Sequence, residues 1–178
     1  MKLSMRARQA PFEELDVAEA ADFRADVSAL VEAARGMRHS RVRDETLKIA
    51  WFLLTERGKW RGRKWKTLYR TRRAVEDLES DVVHEHVVTR RFLSWAALLP
   101  VQLIEVLMLA DACLTTVDEH RALAHVDPQA FGWERYQQAG IEVLESRTFE
   151  PVDLPELAVH QRGLRKKIEA NNRAIWPG

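Results

Sequence analysis

The sequence predicts a mainly α protein with a small β element, an α+β fold in which a helical domain surrounds a short two- or three-stranded sheet. Three observations predict it. Only 7 Gly and 6 Pro occur in 178 residues, while Ala, Leu, Glu and Arg dominate, a composition that favours helix. Apolar side chains recur at helical spacing through most of the chain. One segment, VVHEHVV at 82–88, instead flanks an alternating polar centre with β-branched residues, which is a strand pattern.

From Asp16 to Ala34 the positions Ala20, Phe23, Val27, Leu30, Val31 and Ala34 line one helical face, with Asp16 as N-cap and Gly36 as the stop. Ser40 opens a second helix in which Leu47, Ala50, Trp51 and Leu54 share a face, and Gly58 marks its end. Helical spacing of Trp65, Leu68 and Tyr69 suggests a short helix next. After the acidic stretch 76–81 and the 82–88 strand, two helical pieces flank Pro100. A short apolar piece from Ala112 to Thr115 precedes Thr116-Val117-Asp118-Glu119, whose spacing is that of a capping box opening a helix with His120 and Leu123. Residues 128–138 read as a helix stopped by Gly140, and 141–144 as a last short strand.

This length suits one well-buried core, and 46% hydrophobic with 31% charged residues is ordinary for a globular chain. The expected plan is a single domain over 1–146, helical to residue 80 and α+β with its histidines over 81–146. Two prolines and weak periodicity make 147–156 a linker. Leu157, Gln161, Leu164, Ile168, Asn171 and Ile175 then form the seam of an amphipathic helix over 157–176. That seam either docks back on the domain or joins a second copy or another protein.

Several classes are set aside. The single cysteine, Cys113, allows no internal disulfide and fits a reducing, cytoplasmic compartment; it reads as a buried small hydrophobe. The start MKLSMRARQAPFEEL has no apolar run behind its basic residues, so no signal peptide is expected. Nor does any stretch approach the length of a membrane span, and no membrane partner is expected. Glycine-rich phosphate loops and dinucleotide fingerprints are absent.

The formal net charge of +1 hides a strong asymmetry: residues 1–56 carry −1, residues 57–73 carry +9, and residues 74–178 carry −7. The basic segment holds Arg57, Lys59, Arg61, Arg63, Lys64, Lys66, Arg70, Arg72 and Arg73 without one acid, interleaved with Trp60, Trp65 and Tyr69. Guanidinium groups grip phosphate oxygens and indoles stack on unpaired bases, so DNA or RNA is the expected partner. A second reading makes the tryptophans core anchors and the cations a solvated face paired with the acids at 76–81; a third makes the segment a docking surface for an acidic protein or a membrane surface.

On a strand, His84 and His86 share one face and Glu85 takes the other, so the two imidazoles could share a metal with a third ligand such as His120. The order of a strand with Glu85-His86-Val87-Val88, a second short strand with Cys113, and a helix with Asp118-Glu119-His120 resembles the ββα-metal core of HNH-type nucleases over about residues 81–125. In that family an acidic residue or His followed by His closes the first strand, an Asn lies in the loop, and a His or Asn sits on the helix. The resemblance implies Glu85 and His120 as ligands of a divalent ion (Mg, Mn, Ni or Zn) and His86 as the base that activates water for phosphodiester hydrolysis. Arg90 and Arg91 would hold the scissile phosphate. The chain departs from the family in having no Asn between His86 and His120 and apolar helix where a glycine-rich loop is usual. The alternative is a non-enzymatic nucleic-acid-binding or regulatory protein whose histidines are structural.

Overall fold

The computed structural model describes residues 2–12, 17–55, 67–99 and 103–175. Its helices surround a four-stranded sheet, the α+β class expected. Helices α1 (Met5–Arg8), α2 (Val17–Gly36) and α3 (Ser40–Thr55) come first. Strand β1 (Tyr69–Thr71) then runs directly into α4 (Arg72–Glu76), and β2 (Val82–His86) is followed by α5 (Arg90–Ala97) and α6 (Leu103–Leu107). Strand β3 (Ala112–Thr116) leads straight into α7 (Val117–Leu123). Helix α8 (Trp133–Gln138), β4 (Val143–Glu145) and α9 (Leu154–Ile175) complete the chain.

The strand order is β2-β3-β1-β4: β2 pairs antiparallel with β3, β3 parallel with β1, and β1 antiparallel with β4. Both parallel strands end in threonine, and each threonine caps the helix that follows. Thr71 Oγ1 accepts from the Ala74 amide and Thr116 Oγ1 from the Glu119 amide, so strand turns into helix without a loop. The capping box expected at Thr116 is formed, and Glu119 Oε2 also receives the Thr71 hydroxyl at 2.6 Å, tying the two helix starts together.

Strand β1 is a correction to the sequence reading, which placed Tyr69 on a helix. Three residues are too few for periodicity to show, and pairing on both sides with β3 and β4 overrides local propensity. The helix expected over 128–138 begins only at Trp133, because Gly132, at φ +59°, turns the chain there. Gly58 and the Asp16 cap lie outside the described residues.

Among the described residues the core falls into two larger clusters and a small third one of Ala74, Val82 and Leu114. Phe23, Val27, Val31, Leu47, Trp51, Leu93, Val106 and Ile168 pack α2, α3, α5, α6 and α9 together. A second cluster on one face of the sheet joins Cys113 to Leu123, Trp133, Tyr136, Val143 and Ala158. The stretch read as a linker folds back on the sheet: Pro151 bridges Leu144, and the Val152 amide donates to the Val143 carbonyl at 3.0 Å. Helix α9 docks on its own chain, with Ala158, Gln161 and Ile168 buried. The seam therefore resolves towards self-docking. Among the described residues no helix is long and apolar enough to cross a membrane.

Gln161 is the polar pin of that docking. Its side-chain oxygen accepts from the Trp133 amide and its nitrogen donates to Asp111 Oδ2, both at 3.0 Å. A Cβ at Gly132 would stand 1.9 Å from the same oxygen, at a φ that disfavours L side chains. Gly132→Ala must strain the backbone and displace a buried, doubly bonded amide, which is expected to cost about 2–4 kcal/mol. Thermal unfolding would register this as a fall of roughly 10 °C; an unchanged midpoint would show that Gln161 can move aside freely.

Candidate functional site

Cross-strand neighbours share a sheet face, so the register fixes where each candidate side chain stands. Glu85 lies opposite Cys113, whereas His84 and His86 lie opposite Leu114 and Ala112. Helix α7 leaves β3 on the Cys113 side and returns His120 across it. His120 Nδ1 stands 2.7 Å from Glu85 Oε2. The other Glu85 oxygen accepts from Arg135 Nη1 at 3.2 Å, and the Arg135 guanidinium also donates to the carbonyls of Val87 and Leu123.

The carboxylate of Glu85 is only 12% exposed, and two cationic or proton-donating partners fix both its oxygens. His120 is half exposed, and with Nδ1 held by the carboxylate its Nε2 is left for an outside partner. Glu85 and His120, 35 positions apart in sequence, thus meet directly. Arg135 was not anticipated. It sits in the Trp133-to-Tyr136 turn, and nothing in its spacing distinguishes it from a solvated arginine.

His86 does not join them. On the far side of β2 it packs edge-to-face with His84, ring centres 5.3 Å apart. The strand is regular through the pairing of His86 with Ala112, so neither an end nor a twist lies between Glu85 and His86. The water-activating base and the two metal ligands that the nuclease resemblance implies are therefore split between opposite faces. Among the described residues no group of three or more His, Cys, Asp or Glu side chains is arranged to hold a metal ion.

Burial, the neighbouring His84 and the charge of Arg90 push the His86 imidazole down to a pKa of about 3, and its Nδ1 is buried without a hydrogen-bond partner. The unfolded chain binds a proton at this residue below about pH 6.5 while the folded chain does not. Folded-state stability from this group is therefore fully present above that pH and is lost as pH falls towards 3, by up to about 1.4 kcal/mol per unit. In the metal-free protein, urea unfolding of His86→Gln is expected to show a flatter acid limb than wild type; parallel limbs would rule out His86 as its source.

The basic segment is only partly described. Arg57, Lys59, Trp60, Arg61, Arg63, Lys64, Trp65 and Lys66 lie outside the described residues. Arg70 is fully buried, with its guanidinium donating to the Arg8 carbonyl and lying 5.7 Å from the Phe149 ring centre, and burial lowers its pKa to about 10. Its assignment to a nucleic-acid surface is corrected accordingly: β1 alternation turns it inward. Arg72 is held by Glu142 at 2.6 and 2.8 Å and by Glu76 at 3.1 Å, and Arg73 approaches Asp77 at 3.8 Å. Arg90 and Arg91 are exposed on the first turn of α5, which Thr89 caps.

Cys113 is completely buried and its thiol is pushed well above its usual range by burial, with the Tyr136 hydroxyl as a neighbour. That environment suits a packing residue rather than a nucleophile. No protein-family model, no curated protein and no solved structure matches this chain. Fold and geometry alone define its class: an α+β protein with a mixed four-stranded sheet and a carboxylate–imidazole pair on one sheet face.

Proposed function

We propose that this is a nucleic-acid-binding protein that contacts phosphates and bases through residues 57–66, acting as a binding or regulatory protein. The observation that carries the reading is the concentration of six cations and two tryptophans, with no acid, in those ten residues of an otherwise acidic chain. Arg70, being buried, and Arg72, being paired with acids, contribute little to it, so the binding charge falls on the preceding residues. Exposed Arg90 and Arg91 can add phosphate contacts.

The test is fluorescence anisotropy with random-sequence duplex DNA, single-stranded DNA and single-stranded RNA across a salt series. If all six cations meet phosphates, the log–log slope is expected near about −5 on duplex and about −4 on single strands. Binding that ignores salt, or no binding at low salt, sinks the reading in favour of a protein partner.

A second reading, metal-dependent phosphodiester hydrolysis, is favoured by the meeting of Glu85 and His120. It requires a base other than His86, and a metal that displaces Arg135 from the carboxylate. Labelled DNA and RNA incubated with Mg, Mn, Ni or Zn, beside an EDTA control, address it directly. Metal-dependent cleavage abolished by His120→Ala but retained by His86→Ala supports that reading, and absence of cleavage with binding intact supports the first.

A further inference from the structure

We infer that His84 and His86 form a two-imidazole chelate for a late first-row divalent ion such as zinc, nickel or copper, on the face of β2 opposite the Glu85–His120 pair. The placement of the two rings is compatible with two ligands sharing one ion. Both side chains project from the same face of the outer strand of the sheet, two residues apart, and their rings lie 5.3 Å centre to centre at 81°. An ion bonded to two imidazole nitrogens at about 2.0–2.1 Å with a tetrahedral angle between them holds the ring centres about 5 Å apart, close to the separation seen here.

A second observation points the same way. His86 Nδ1 is buried without a hydrogen-bond partner, and an imidazole nitrogen shut from water in this way is one that a bound ion or water satisfies. The strand supports the arrangement: five consecutive residue pairs with β3 hold both backbones in place, so the chelate is set by rigid structure and not by a loop.

The donor set determines the ion. Neutral imidazoles favour copper, nickel and zinc, whereas magnesium and calcium require oxygen ligands. Arg90, whose charge acts on His86, is exposed and therefore screened by solvent. With two protein ligands the remaining positions of the ion stay open to water or to an outside donor. The site is independent of the proposed nucleic-acid contact and of Glu85 and His120.

Competition between untagged protein and a chromogenic chelator tests the assignment, with zinc, nickel and copper titrated in turn and magnesium as control. One equivalent of ion is expected to bind, at least about tenfold more weakly in His84→Gln and in His86→Gln, and unchanged in His120→Gln. Nickel or copper is also expected to broaden the imidazole resonances of His84 and His86 selectively in the wild-type protein, a readout that needs no variant to fold. Absence of an equivalent of bound ion, binding that survives both substitutions, or binding lost only in His120→Gln overturns the proposal.

Discussion

The quadruple variant in which Arg61, Arg63, Lys64 and Lys66 become Ala is expected to bind nucleic acid roughly a thousandfold more weakly than wild type at about 0.1 M salt. Each phosphate-bound cation releases condensed counterions, contributing about 0.9 to the log–log slope on duplex DNA. Removing four should flatten the slope by between three and four, and the lost affinity at moderate salt follows from the same term. Far-UV circular dichroism of the variant beside wild type checks that the fold is kept. The tryptophans provide an internal control. Trp60→Ala with Trp65→Ala should weaken single-stranded ligands by about 1–3 kcal/mol per stacked base and affect duplex less. A quadruple variant with wild-type slope and affinity would leave the segment without a role in polyanion binding. Equal loss on duplex and single strands in the tryptophan variant would assign the indoles to packing instead.

How much of this was legible in the sequence depends on the range over which each signal acts. Helices α2, α3 and α9 were visible because four or more apolar positions recur on one face, and the capping box at Thr116 because it is a local hydrogen-bonding pattern. The alternation of β2 correctly separated Glu85 from His84 and His86. Pairing with β3 then brings Glu85 directly against His120, an ion pair that the sequence reading did not name. Strand β1 was hidden because three residues carry no period, and its burial of Arg70 depends on pairing with β3 and β4. Arg135 and Gln161 were invisible for a related reason. Each is a long polar side chain whose partners Glu85, Trp133 and Asp111 lie 28 to 50 residues away, and no local pattern encodes such a closure.

Arg8 shows the same limit most clearly, and its replacement is expected to produce the largest loss of stability in the chain. In sequence it is one basic residue of a polar N-terminal stretch. In the structure it is completely buried, and its guanidinium donates to five backbone carbonyls. Nε reaches Leu3 at 3.1 Å, Nη1 reaches Ala74 at 3.1 Å and Asp77 at 2.7 Å, and Nη2 reaches Leu78 at 3.4 Å and Ser80. These bonds use all five N–H donors that a guanidinium has. They satisfy carbonyls left over where α4 ends, and they fasten residues 2–12 to the sheet, which the Phe12 amide also reaches through the Ser146 carbonyl at 2.9 Å. The Arg8 carbonyl in turn receives Arg70, so the two buried arginines support each other through backbone rather than through charge. Arg8→Ala removes the donors and leaves their acceptors short of partners. A cost of about 3–5 kcal/mol is expected, because five buried carbonyls lose charge-assisted hydrogen bonds that are each worth about 1.5–3 kcal/mol and water replaces only part of them. Arg8→Lys, with three donors on a point charge and no planar fork, should recover only part of it. Urea unfolding would measure both, and limited proteolysis should find the N-terminal segment newly accessible in Arg8→Ala. A loss below about 1 kcal/mol would mean that water replaces the guanidinium at little cost, and the N-terminal segment would then owe its place to Phe12 instead.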